Sequence, residues 1–184
     1  WEPAPLEGGV KVVCFEMENV LFNVRNFNEV VREADNVGNP EWWRGLPRSG
    51  WQWLFGSMER FQYLNAMLSG IKVRGGQSMI VSTLPSHMCT LALEQAGLLT
   101  YFNDEKGGSL IFGEADLEPY EGDKQRFIDE EIRVNMYEPD ENGEDMIPED
   151  DTGYEVLLVD YDVRQLGAVP WSDDSDWQAS AIQK

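Results

Sequence analysis

Short apolar runs, each stopped by polar or acidic residues, recur along the chain, and helical stripes fill the intervals between them. Lys11-Val12-Val13-Cys14-Phe15 stops at Glu16 and Glu18. Gln77 to Val81 stops at Ser82 and Thr83, and Ser109-Leu110-Ile111-Phe112 is followed by Gly113. Tyr154 to Val159 stops at Asp160 and Asp162. Runs this short, rich in β-branched and aromatic residues and without a 3.6-residue period, predict strands of a parallel sheet covered on both faces.

The intervals predict helices. Phe27, Val30, Val31 and Ala34 form one apolar stripe, ended by Asn36 to Pro40. Asn39 to Ser49, with Pro40, Trp42, Trp43 and Pro47, reads as a short helical turn or a loop. Trp51, Leu54, Phe55, Met58, Phe61, Leu64 and Leu68 track a single helical face for nearly five turns, ending at Gly70. A helix led by Pro85 carries Met88, Leu91, Ala92 and Gln95 and closes at Gly97. Asp123 is a candidate cap for a helix that buries Ile128, Ile132 and Met136. Val163 to Ala168 begins a last helix, and Val169-Pro170-Trp171 reads as a turn or short strand. Trp1 to Gly9 reads as a surface arm, Glu138 to Gly153 as an acidic solvated loop, and Ser172 to Lys184 as a polar tail. Strands alternating with helices define an α/β class: a Rossmann-like parallel sheet flanked by helices.

In such a sheet the strand ends share one edge, where a crevice takes ligands. Glu16 and Glu18, Ser82 and Thr83, and Asp160 are thereby brought toward one another. A strand end followed by helix N–H groups, as after Ser82, also favours an anion, although Ser and Thr cap helices everywhere. His87, the single histidine, reads as a surface group at a helix start. The acidic loop is a poor Ca²⁺ site, because its acids do not fall in the register of an EF-hand.

Phe15-Glu16-Met17-Glu18-Asn19-Val20-Leu21 resembles the first motif of the haloacid dehalogenase-like (HAD-like) superfamily, an apolar strand followed by Asp-x-Asp-Gly-Thr/Val-Leu. Here Glu replaces both Asp, and Asn19 replaces Gly. The strand ending at Ser82 resembles the second motif, Lys124 matches the lysine of the third, and Leu157-Leu158-Val159-Asp160 resembles the fourth. Leu98 to Phe102 resembles the family's passage into the third strand. The layout is nearest to 5'(3')-deoxyribonucleotidase-type members, with Ser82-Thr83-Leu84-Pro85 after the second strand.

The resemblance implies a Mg²⁺-dependent phosphatase. Glu16 would attack the phosphoryl group and Glu18 would act as general acid/base. Ser82, with Thr83 beside it, would hold a phosphoryl oxygen, and Lys124 would neutralise nucleophile and phosphoryl group, with Lys106 and Arg126 as substitutes. Mg²⁺ would be held by Glu16, Asp160 and the main-chain carbonyl of Glu18, with Asp162 as a helper. The resemblance also implies a small helical cap inserted after the first strand, giving a core of residues 1–22 and 71–184 and a cap of residues 23–70. Trp42, Trp43, Trp51, Trp53 and Phe55 would then either wall a substrate pocket or pack the helices together.

A glutamate stem is one methylene longer than that of aspartate, and a reacting group misplaced by about 1 Å can cost roughly a hundredfold in rate. Three readings therefore stand: a nucleotidase-like hydrolase with an altered site, a catalytically dead HAD-like binding or structural module (a pseudoenzyme), and an acidic protein that binds a basic nucleic-acid-binding partner. The first takes a small phosphate ester or nucleotide as its ligand.

Composition bears mainly on the third reading. Among 184 residues, 14 are basic and 34 acidic, a net charge of −20. That field repels nucleic acid and anionic lipid, so direct binding to either is not expected. Two cysteines, Cys14 in a predicted strand and Cys89 in a predicted helix, read as small core residues rather than a disulfide framework, which suits a reducing, cytoplasmic setting. No apolar run approaches a membrane span, and no basic-then-apolar leader precedes the first strand. The sequence starts at Trp1 rather than Met, which leaves a processed or trimmed start open.

Overall fold

A computed structural model of the chain describes residues 11–34, 40–104, 106–134 and 156–160. The expectations for residues 1–9, Met136, the acidic loop, Asp162 and everything beyond it lie outside those residues.

Four strands, β1 (Val12–Phe15), β2 (Gln77–Val81), β3 (Ile111–Phe112) and β4 (Val156–Val159), form one parallel sheet in the order β3-β2-β1-β4. β1 is central: Val12 pairs in register with Gln77 and Val156, and Phe15 with Ile80 and Val159. Because all four strands run the same way, the residues just after them, Glu16, Ser82, Gly113 and Asp160, stand along one edge. Parallel neighbours need crossovers, and helices supply these.

Alternation along β1 divides the core in two. Val13 and Phe15 join a cluster with Phe22, Phe27, Trp43, Trp51, Leu54, Phe55, Ile80 and Leu93. Val12 and Cys14 face the opposite way, into a cluster with Val81, Leu117, Phe127, Ile128, Ile132 and Val156. Successive strand side chains point to opposite faces, so a strand apolar at every position requires helices on both sides. The fold is accordingly an α/β, Rossmann-like, three-layered arrangement.

The helices between β1 and β2 are α1 (Val24–Ala34), α2 (Pro40–Arg44), α3 (Arg48–Leu54) and α4 (Met58–Val73). Their buried aromatics belong to the same cluster as the sheet: Trp43 lies 5.6 Å from Trp51 between ring centroids, and Phe22 5.1 Å from Phe55. Trp53 is 39% exposed. α5 (Ser86–Ala96) follows β2 and ends at Gly97, whose φ of +78° suits a residue without Cβ.

One helical expectation is corrected. The stripe from Trp51 to Leu68 is broken into α3 and α4, and α4 runs past Gly70 to Val73. The break is chemical: Gly56 takes φ +109°, and Ser57 Oγ accepts from Arg60 N at 3.2 Å, capping a new helix. Trp51, Leu54, Phe55 and Leu68 of the stripe are buried in one core with Phe61 and Leu64 packed against it, whereas Met58 at the start of α4 is exposed.

After β3 come α6 (Glu114–Leu117) and α7 (Lys124–Phe127), the latter continuing in wider turns through Ile128–Arg133. Asp123 caps α7 by accepting from Arg126 N at 3.0 Å. Among the described residues no helix is long and apolar enough to cross a membrane.

Candidate functional site at the strand ends

Beyond Phe15 the backbone leaves the sheet in a wide turn, closed by Phe22 N donating to Met17 O at 2.8 Å. Asn19 sits in that turn at φ +64°. Glycine is the default in the left-handed region and asparagine tolerates it, so Asn at this position preserves the turn. Its Oδ1 is buried without a hydrogen-bond partner.

Arg60 of α4 ties the turn to the helices. Its guanidinium donates to Leu21 O at 2.7 Å, to Val20 O at 2.6 Å, and to Phe55 O. Burial holds its pKa below the ordinary arginine value. Nothing in the sequence separates Arg60 from a surface arginine, and its role was not legible there.

Glu16 is the centre of the site. It is 1% exposed, and both oxygens of its carboxylate are engaged. Oε1 accepts from Met17 N at 2.7 Å, from Glu18 N at 3.1 Å and from Ser82 Oγ. Oε2 accepts from Lys124 Nζ and, at 3.4 Å, from Thr83 N. Five donors from three segments thus converge on a single carboxylate. Such an array of main-chain N–H groups, a hydroxyl and an ammonium is an anion cradle in chemical terms. Its anion is the protein's own.

Ser82 is delivered by β2, with Ser82 N donating to Phe112 O at 3.0 Å, while its Oγ accepts from Leu84 N at 3.1 Å. The hydroxyl proton is thereby directed at Glu16. Thr83 contributes its main-chain N–H, and its residue is exposed. Gly113 allows the close approach of the neighbouring loop: a Cβ there would lie 2.3 Å from Ser86 N and 2.7 Å from Leu84 O.

Lys124, at the first turn of α7, is 2% exposed and donates both to Glu16 and, at 2.5 Å, to Asp160 Oδ2. Burial disfavours its charge, but the two carboxylates outweigh that penalty and hold its pKa above the ordinary value. Asp160 is 4% exposed, at the end of β4. Glu18 is half-buried; burial, then the neighbouring Glu16 carboxylate, push its pKa up, against a smaller opposing pull from Lys124. That direction suits a proton donor.

The structure therefore brings Glu16, Ser82, the Thr83 N–H, Lys124 and Asp160 into direct contact, with Glu18 beside them. It places the other candidates elsewhere. Arg126 pairs with Glu130 at 2.7 Å on the surface, Lys106 is exposed, and His87 is exposed at the start of α5. Cys89 packs beneath Ser82, its thiol pushed up to about 12 by burial and the Glu16 charge, and burial raises Cys14 to about 12 as well. Both are inert core residues.

The residues do not fit Mg²⁺ as arranged. Glu16 Oε2 and Asp160 Oδ2, from the two carboxylates that would ligate the ion, face the same Lys124 ammonium. Mg²⁺ demands near-octahedral oxygen ligands at about 2.0–2.1 Å. Among the described residues no group of three His, Cys, Asp or Glu side chains is placed to hold a metal.

No family model, no curated protein and no solved structure matches the chain.

Proposed function

We propose that the chain is a divergent HAD-like module whose phosphoryl site is filled by its own Glu16 carboxylate, so that it turns over no phosphate ester and acts as a binding or structural module. The observation that carries this reading is the saturation of Glu16. The donors that the resemblance assigns to a phosphoryl group, Ser82 and Lys124, are spent on the residue that would attack it, joined by the N–H of Thr83. An attacking carboxylate needs a lone pair directed at the substrate, and it needs the donors left for the developing charge. Both requirements fail when the longer glutamate stem folds back onto the donors. Fold alone does not assign activity, so the reading rests on this site.

The test is hydrolysis. The full chain with Mg²⁺ is assayed against p-nitrophenyl phosphate and a panel of nucleoside monophosphates, beside Glu16→Gln. The expected rates are equal in wild type, variant and buffer. A Mg²⁺-dependent rate in wild type that Glu16→Gln abolishes contradicts the proposal and restores the hydrolase reading.

A further inference from the structure

We infer that the Lys124 ammonium is the resident cation of the strand-end site, standing between Glu16 and Asp160 and closing that site to divalent metal. This rests on the reading of the strand ends as an altered HAD-like site. It adds what the alteration does to the cofactor.

Lys124 is 2% exposed, Glu16 1% and Asp160 4%, so water does little to screen the three charges from one another. The ammonium takes one oxygen of each carboxylate, Glu16 Oε2 and Asp160 Oδ2. The remaining Glu16 oxygen, Oε1, already accepts from two main-chain N–H groups and the Ser82 hydroxyl. A divalent ion entering here would have to take oxygens from a buried ammonium that already holds one from each carboxylate. It would then sit beside that ammonium, two like charges within a few ångströms in a poorly screened interior. Lysine thus supplies, with one charge and no exchangeable ligand, the neutralisation that two buried carboxylates need.

Removing the ammonium should reverse the exclusion. In Lys124→Ala the two carboxylates lose the ammonium that stands between them, and paired carboxylates are the donor set that a hard divalent ion selects. The full chain is followed by thermal unfolding in chelator and in Mn²⁺, with bound Mn²⁺ read by electron paramagnetic resonance. Because the chain is strongly acidic, the informative quantity is the difference between variants. At about tenfold over Kd, Mn²⁺ is expected to raise the Tm of Lys124→Ala by about 3 °C more than that of wild type. Lys124→Ala/Asp160→Asn loses this difference. Should Lys124→Ala fail to fold in chelator, folding recovered by Mn²⁺ supports the inference, and failure in both media overturns it. An equal rise in wild type and Lys124→Ala also overturns it, as does a wild-type rise that Asp160→Asn abolishes. Hydrolysis is not a readout, so absence of turnover in wild type stands or falls separately.

Discussion

Lys124 and Asp160 meet at 2.5 Å although 36 positions separate them, and the contact joins the first turn of α7 to the end of β4. Together with the contact to Glu16 just beyond β1, it makes one lysine the tie between a helix and the ends of two adjacent strands.

The alkaline limb of the stability curve follows from this tie. The pKa of Lys124 is higher in the folded chain than its ordinary value of 10.5, so its contribution is complete below that value and is lost as pH rises through the folded pKa. Tyr120 adds a loss of the same sign, because its hydroxyl donates to Glu131 and its pKa is pushed up to about 12. Denaturant unfolding measured from about pH 9 upward should show stability falling above 10.5. Tyr120→Phe should retain part of that fall. A flat alkaline limb in Tyr120→Phe would contradict a buried, doubly paired ammonium.

Glu18 gives the opposite kind of prediction. Its folded pKa is raised above the ordinary 4.5, so the folded chain holds its proton more tightly than the unfolded chain, and ionisation at neutral pH costs stability. Glu18→Gln should stabilise the protein at pH 7. The gain is below about 1 kcal/mol, since half the residue is in water. It should disappear as pH falls below 4.5, where the wild-type carboxyl is protonated in both states. Urea midpoints at pH 7 and at lower pH test both the sign and the window.

Arg60 supports the turn that carries Glu16 and Glu18 by donating to the carbonyls of Val20, Leu21 and Phe55. Arg60→Ala leaves those acceptors without their charged donor and should destabilise the fold by about 2 kcal/mol. Arg60→Lys should recover only part of this, because an ammonium cannot span three carbonyls as a planar fork does. Urea unfolding of the two variants checks the order.

The legible parts of the fold were those written in local chemistry. Each strand announced itself by a short apolar run with polar residues at its end, and Asp123 and Gly97 marked helix ends by familiar capping chemistry. The break between α3 and α4 was hidden, because the apolar period runs through Gly56 and Ser57 without interruption. At the site, Glu16, Ser82 and Asp160 were identifiable as candidates because each stands at a strand end, whereas Lys124 stood out only through its resemblance to a family motif. What they do to one another was not legible. The closure of the cradle depends on where a glutamate stem one methylene longer places its oxygens, and the approach of the neighbouring loop depends on Gly113, where a Cβ would lie 2.3 Å from Ser86 N. Such relations are three-dimensional and leave no periodicity.

The central claim is that the Glu16 carboxylate occupies the place of an external oxyanion, and phosphate calorimetry on wild type and Glu16→Ala tests it most directly. Removing the carboxylate leaves Lys124 paired with Asp160 and frees the N–H groups of Met17, Glu18 and Thr83 and the Ser82 hydroxyl. Wild type is expected to give no binding heat with inorganic phosphate, and Glu16→Ala to bind it with one-to-one stoichiometry. Phosphate binding by wild type, or a folded Glu16→Ala that binds none, would contradict the account.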